Sequence, residues 1–189
     1  MSKKFNRTFS AGFTLIELLI VVIILAILAA IVIPQFSNST KDAQEATMDA
    51  NLATLRAAIE LYKTQHNGAY PGALVSSGGT NCATGGATGT GVANSPQAFI
   101  DQLTAASVAS GGTCTLADTN YRFGPYIRSA IPNDPISSKG TLPAEIVVTS
   151  AGTPITATAA GGYAYDTKSG QLIVNNTALD VKGKAYSTH

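Results

Sequence analysis

The chain has 189 residues, room for one ordinary domain with an appendage but not for two domains with separate cores. Charged residues are 12% of it and the formal charge is +1; setting aside Lys3, Lys4 and Arg7 leaves nine basic against eleven acidic residues, or −2, and neither balance is a nucleic-acid footprint. The two cysteines, Cys82 and Cys114, lack a second ligand pair at zinc spacing, which excludes a zinc module and leaves a disulfide if the domain is exported.

The first twelve residues are basic and polar. From Phe13 to Ile33 the chain is then apolar for 21 residues, with Thr14 and Glu17 the only clear polar interruptions. As a helix rising about 1.5 Å per residue, such a run crosses a hydrocarbon core of about 30 Å. The basic flank stays cytoplasmic by the positive-inside rule, so the rest of the chain is external. A secretory signal fits poorly, because its apolar region is shorter and ends in a small-residue cleavage site, whereas this run ends in Pro34-Gln35-Phe36. A plain single-pass anchor explains the length and the flank. It does not explain Glu17, since a carboxylate at that depth is costly and marks a functional position.

The string Ala11-Gly12-Phe13-Thr14-Leu15-Ile16-Glu17-Leu18-Leu19-Ile20-Val21-Val22, followed by an apolar stretch and Pro34-Gln35-Phe36, closely resembles the N-terminal signal of type IV pilins and type II secretion pseudopilins. Ala11 stands where members of that family often carry Lys or Arg. The resemblance implies that a prepilin peptidase cuts between Gly12 and Phe13 at the cytoplasmic face and methylates the new amine of Phe13. Glu17 fits such a process physically. A buried carboxylate is tolerated when paired, and cleavage creates a cationic amine at Phe13 that Glu17 of a neighbouring subunit can meet. Assembly is then gated by processing, because the amine does not exist beforehand.

After Pro34 the pattern becomes amphipathic. Met48, Leu52, Leu55, Ile59 and Tyr62 recur at spacings of four and three and form one helix face, so the helix is expected from about Phe13 to about Gln65. Pro34 removes one backbone hydrogen bond and is the expected helix break. It reads either as the membrane exit or, by the family resemblance, as a place where the helix loosens inside filaments. Asn67-Gly68 and Pro71 end the helix. Residues 76–94 are rich in Gly, Thr, Ala and Ser and read as a surface loop, without the lysine and flanking elements of a phosphate cradle. A short helix follows, capped by Ser95 with Pro96 in its first position and Phe99, Ile100, Leu103 and Ala106 inward, and is expected to stop at Gly111-Gly112.

Gly124-Pro125-Tyr126-Ile127-Arg128 and Ile131-Pro132-Asn133-Asp134-Pro135 resemble a segment that follows the helix in many pseudopilin-like proteins. Residues 146–149 are a strand candidate. Tyr163-Ala164-Tyr165 and Leu172-Ile173-Val174 bracket a glycine turn and read as a hairpin. The fold class expected is α+β, a long N-terminal helix packed on a small antiparallel sheet, as in the pilin fold. The expected divisions are a leader at 1–12, a transmembrane and assembly helix at 13–36, and a globular domain at 37–189.

Chemistry is sparse. His66 and His189 have no partner at ligand spacing and read as solvated side chains; no nucleophile with a base, and no paired acid motif, is present. The sequence therefore reads as no enzyme and needs no cofactor. Major pseudopilins are known as a family for a calcium site in their C-terminal loops, which draws attention to Asp134, Asp166 and Asp180, but the acidic density of such a site is missing and no metal is assigned. The function expected is a structural subunit of a pilus-like or pseudopilus filament. Its partners are a prepilin peptidase, identical or related pilin subunits and inner-membrane assembly machinery. The proline-rich segment leans towards a pseudopilin and the long loop with a disulfide towards a pilin. A membrane-anchored minor pilin with an adhesive or DNA-binding role is the alternative. The location expected is the cytoplasmic membrane, with the N-terminus cytoplasmic and the C-terminal domain outside.

Overall fold

The structure, a computed structural model, describes residues 12–79 and 82–189, so the leader expected at 1–12 lies, apart from Gly12, outside the described residues. The chain divides at Lys41 into an N-terminal unit and a second unit, Asp42–His189.

Helix α1 runs over Leu15–Gln65, and its two parts are built on different logic. In the N-terminal unit the large apolar side chains from Leu15 to Ile33 are all exposed, from 42% at Val32 to 85% at Leu15. The helix passes through Pro34 without interruption in its assignment, although proline supplies no N–H to the carbonyl of Ala30. One turn on, Ser39 Oγ donates to Gln35 O and Thr40 Oγ1 to Phe36 O, the back-bonding that accompanies helix bending.

In Asp42–His189, by contrast, the predicted stripe is the core. Met48, Leu52, Leu55, Ile59 and Tyr62 are fully buried, each contributing on the order of 1.5–3 kcal/mol of transfer free energy. The helix ends as anticipated: Asn67 and Gly68 adopt positive φ, and Gly68 N–H closes back onto Lys63 O at 3.0 Å.

Helix α2, Pro96–Thr104, begins with Ser95 Oγ accepting from Ala98 N–H and buries Phe99 and Leu103. It stops seven residues short of Gly111, which corrects the expected boundary. Leu103 O is taken by the N–H groups of Tyr126 and Ile127, and the chain turns extended at Ala105. Ala106–Ser107 then forms β1 and pairs antiparallel with β2, Thr113–Cys114. Gly111, at φ +94°, closes that hairpin instead of capping a helix.

The second sheet has the order β3-β4-β5, with β3 at Ile146–Thr149, β4 at Tyr163–Asp166 and β5 at Leu172–Val174. The expected hairpin β4-β5 is present and antiparallel, with Tyr163 opposite Val174, and the fold is α+β. The sheet is nevertheless mixed, because β3 pairs parallel to β4. A parallel neighbour needs a crossover, and residues 150–162 supply one without a helix. Every third N–H across its middle is held by a side chain of the hairpin region: Gly152 by Asp166 Oδ2 at 2.7 Å, Ile155 by Gln171 Oε1 at 2.9 Å, and Thr158 by Asn175 Oδ1 at 2.7 Å. Phe99 of α2 packs on Tyr165 of β4, ring centroids 4.4 Å apart, and Tyr186 completes the same core.

Candidate functional site

Gly12, Phe13 and Thr14 are exposed, non-helical chain leading into α1, with Phe13 85% exposed. A Cβ on Gly12 would meet nothing within 4 Å, so the fold itself does not demand glycine there.

Thr14 and Glu17 form a reciprocal cap at the start of α1. Glu17 Oε2 accepts from Thr14 N–H at 2.9 Å and from Thr14 Oγ1 at 2.8 Å, while Glu17 N–H donates to Thr14 Oγ1 at 3.2 Å. The sequence reading gave Glu17 an intermolecular partner and missed this local one. The signal was present: a threonine followed three residues later by glutamate, immediately before an apolar run. Glu17 Oε1 has no hydrogen-bond donor among the described residues. From Leu15 to Ile33 the helix is long and apolar enough to cross a membrane, at a mean hydropathy of 3.4.

The remaining sequence candidates lie elsewhere. Cys82 and Cys114 are joined as a disulfide with Cα atoms 5.6 Å apart, tying the glycine-rich loop to β2. That loop is further clamped by Asp101, whose Oδ2 accepts from Ser76 Oγ and from the N–H groups of Thr90 and Gly91. The amides of Thr90 and Gly91 are therefore occupied internally.

Asp134, Asp166 and Asp180 are not brought together. Asp134 takes the N–H groups of Ile136 and Ser137, Asp166 those of Lys168 and Ser169, and Asp180 those of Lys182 and Lys184, so each closes its own turn. Among the described residues no group of three or more His, Cys, Asp or Glu side chains is placed to hold a metal ion.

Both histidine expectations are corrected. His66 is buried and stacks on Tyr62 with ring centroids 3.7 Å apart; Nδ1 lies 2.9 Å from Tyr62 O and Nε2 3.0 Å from Ser107 Oγ. Position 66 continues the stripe four residues after Tyr62, which is the pattern that could have shown it. Burial holds its imidazole below the ordinary value. His189 is largely covered, with Nδ1 2.8 Å from Asp49 Oδ1 and Nε2 3.3 Å from Asp180 Oδ2.

A groove of about 550 Å³ lies between α1 and β5, lined in part by Arg56, Glu60, Leu172 and His189. Arg56 spends one guanidinium nitrogen on main-chain oxygens, those of Leu172 at 3.0 Å and His189 at 2.9 Å, so it acts as a tie between elements. The hydroxyls of Tyr62, Tyr163 and Tyr165 are buried without a hydrogen-bond partner among the described residues, and burial pushes all three phenols up, far from any acid or base role near neutrality.

The chemically distinctive feature is thus the entry to α1, and there the comparisons agree with the geometry. Residues 7–33 match the prokaryotic N-terminal methylation motif. The type II secretion system core protein G of Pseudomonas aeruginosa is 42% identical over 66 residues, 35% of this chain and 46% of that protein. In its methylation motif and in this match the chain is similar to type IV pilins and type II secretion pseudopilins. The chain is also 46% identical over 57 residues to the type IV narrow pilus major component PilA5 of Thermus thermophilus, covering 30% of itself and 49% of PilA5. Its identity to the type IV major fimbrial protein FimA of Dichelobacter nodosus is 46% over 54 residues, 29% of the chain and 35% of FimA. The chain therefore spans half or less of the length of these curated relatives, and none of the three is named for a catalytic activity. No solved structure matches it.

Proposed function

We propose that this chain is a structural subunit of a type IV pilus-like or type II secretion pseudopilus filament, released from its leader between Gly12 and Phe13 and assembled through α1. The observation that carries the reading is Glu17, a carboxylate at the mouth of an apolar helix with one oxygen engaged by Thr14 and the other unengaged. Packed among other apolar helices, that free oxygen requires a cationic donor. The amine that cleavage creates at Phe13 of a neighbouring subunit is one, and its methylation preserves the charge.

Gly12 supports the same reading. Glycine is not required there by internal packing, so the requirement belongs to an enzyme that grips an exposed, extended segment, the prepilin peptidase. Inner-membrane assembly machinery and copies of the chain are the other partners. The apolar stretch holds the subunit in the cytoplasmic membrane with its N-terminus cytoplasmic and Asp42–His189 outside, until it enters the filament.

The test compares Glu17→Val and Glu17→Gln with wild type, scoring membrane-inserted mature protein by blot and intact mass, and filaments by shearing. Wild-type mature protein is expected to begin at Phe13 with one added methyl group. Both variants are expected to insert and mature but to yield few or no filaments. Glu17→Gln keeps an oxygen for Thr14, so its failure assigns the defect to lost charge and not to the lost cap. Normal filaments from Glu17→Val would refute the assembly role.

A further inference from the structure

The turn at residues 179–185 is the second feature in which the structure concentrates unexplained surface chemistry. It is a closed hairpin: Leu179 bridges Ala185, Asp180 N–H donates to Lys184 O at 2.7 Å, and Gly183 takes positive φ. Its only acid, Asp180, is turned inward, 8% exposed, with Oδ1 accepting from the N–H groups of Lys182 and Lys184 and Oδ2 facing His189. What remains outside is Leu179 at 61% and Val181 at 48% exposure, with exposed Lys182 and Lys184 beside them.

The turn is also fixed in place. Glu45 Oε1 on α1 accepts both Val181 N–H and Tyr186 Oη at 3.0 Å, and Asp49 holds His189. Glu45 is buried against the turn's own backbone, while Asp49 stays exposed with Oδ1 on His189 Nδ1. The turn's outer surface therefore carries two cations, two apolar side chains and no carboxylate of its own.

We propose that residues 179–184 dock on an anionic headgroup surface of the bilayer that the apolar stretch enters, with Leu179 and Val181 seated among the headgroups and Lys182 and Lys184 paired with lipid phosphates. Apolar side chains flanked by lysines are the composition that binds in the plane of a membrane interface, and lysines beside anionic lipid are attracted within a screening length. Two such pairs are a weak site for a free protein. This one is tethered: Glu45 stands 12 residues after Ile33 (45 − 33), at most about 43 Å of chain at 3.6 Å per residue. The tether supplies a high effective concentration of bilayer surface, so weak contacts suffice. The inference rests on the membrane-spanning reading of α1. It adds a resting position for the unassembled subunit, which filament entry must break.

The chain contains no tryptophan, so a single Trp reports its own surroundings. Full-length Val181→Trp and Leu179→Trp would be reconstituted in vesicles of zwitterionic lipid, with and without phosphatidylglycerol, carrying acyl chains brominated near the headgroup. Ile24→Trp, at the middle of the span, is the control and is read in vesicles brominated near the acyl-chain ends. Both turn reporters are expected to be blue-shifted and quenched in anionic vesicles, and to lose most of that quenching on Lys182→Glu with Lys184→Glu, or at about 0.5 M salt, where screening is within a few ångström. If Ile24→Trp is quenched while both turn reporters emit as in water in every vesicle, the docking is overturned and the span stands. A blue shift that follows protein density without quenching also overturns it and assigns the patch to a second copy of the chain. An unquenched Ile24→Trp overturns the span, and the docking with it.

Discussion

Replacing Asp166 by alanine removes one side chain that serves two structures. Its Oδ1 closes the β4-β5 turn by accepting Lys168 N–H at 2.7 Å and Ser169 N–H at 3.2 Å, and its Oδ2 holds Gly152 N–H of the crossover at 2.7 Å. The side chain is fully buried. A hydrogen bond to a charged acceptor is worth about 1.5–3 kcal/mol net, and water recovers an N–H only where it can reach it. Gly152, Lys168 and Ser169 are all exposed residues, and their bonds to Asp166 are partly buried, so water recovers part of each of the three N–H groups. Asp166→Ala is therefore expected to cost about 3–5 kcal/mol, a large share of the 5–15 kcal/mol typical of a domain. Asp166→Asn keeps one acceptor and is expected to cost roughly half as much. Urea unfolding of the full chain in detergent, followed by near-ultraviolet dichroism of its tyrosines, measures the total. Amide exchange at Gly152 and Lys168 measures the two contacts separately. A loss below about 1 kcal/mol, or unchanged exchange at both amides, would refute the assignment of Asp166 as the common anchor.

The Cys82–Cys114 bridge closes a sequence separation of 32 residues, for which chain entropy gives about 3–4 kcal/mol; Cys82→Ser with Cys114→Ser is expected to lower the thermal midpoint to that of reduced wild type, and equal midpoints for all three forms would remove the bridge as a stabiliser. Burial lowers the His66 imidazole below its ordinary value, so the unfolded chain takes up that proton first as the solution is acidified. The contribution of His66 is complete above the unfolded value of about 6.5 and declines as pH falls through it. The urea midpoint of wild type is accordingly expected to drop more between about pH 7.5 and pH 5.5 than that of His66→Phe, and parallel drops would assign the pH dependence to other groups.

Much of this fold was legible because its signals are local. The four-three spacing from Met48 to Tyr62 marked the buried face of α1, Ser95-Pro96 the start of α2, and the apolar triplets around the glycine turn the β4-β5 hairpin. What escaped depends on distant partners. Nothing in residues 146–149 says that β3 runs parallel to β4, since strand direction is set by the path of the crossover and its anchors Asp166, Gln171 and Asn175. The end of α2 was misplaced for the same reason, because the alanines at 105 and 106 tolerate a helix and only pairing with Thr113–Cys114 pulls them straight. At the candidate site the reverse held. The Thr14–Glu17 cap and the burial of His66 were both written in short-range spacing, and were passed over in favour of an intermolecular role and of solvent.

The bond from Glu45 to Tyr186 spans 141 residues of sequence, and that from Glu45 to Val181 spans 136. The same helix face is covered by β4 and β5. During synthesis, then, the stripe from Met48 to Tyr62 has its principal partners only after residues 163–186 have been made. A chain made from its N-terminal end closes such a domain in one late, non-local step. Until that moment an apolar helix face stands uncovered, so the interval between synthesis of α1 and arrival of β5 is when this chain is most exposed to proteases and to mispairing with its own kind.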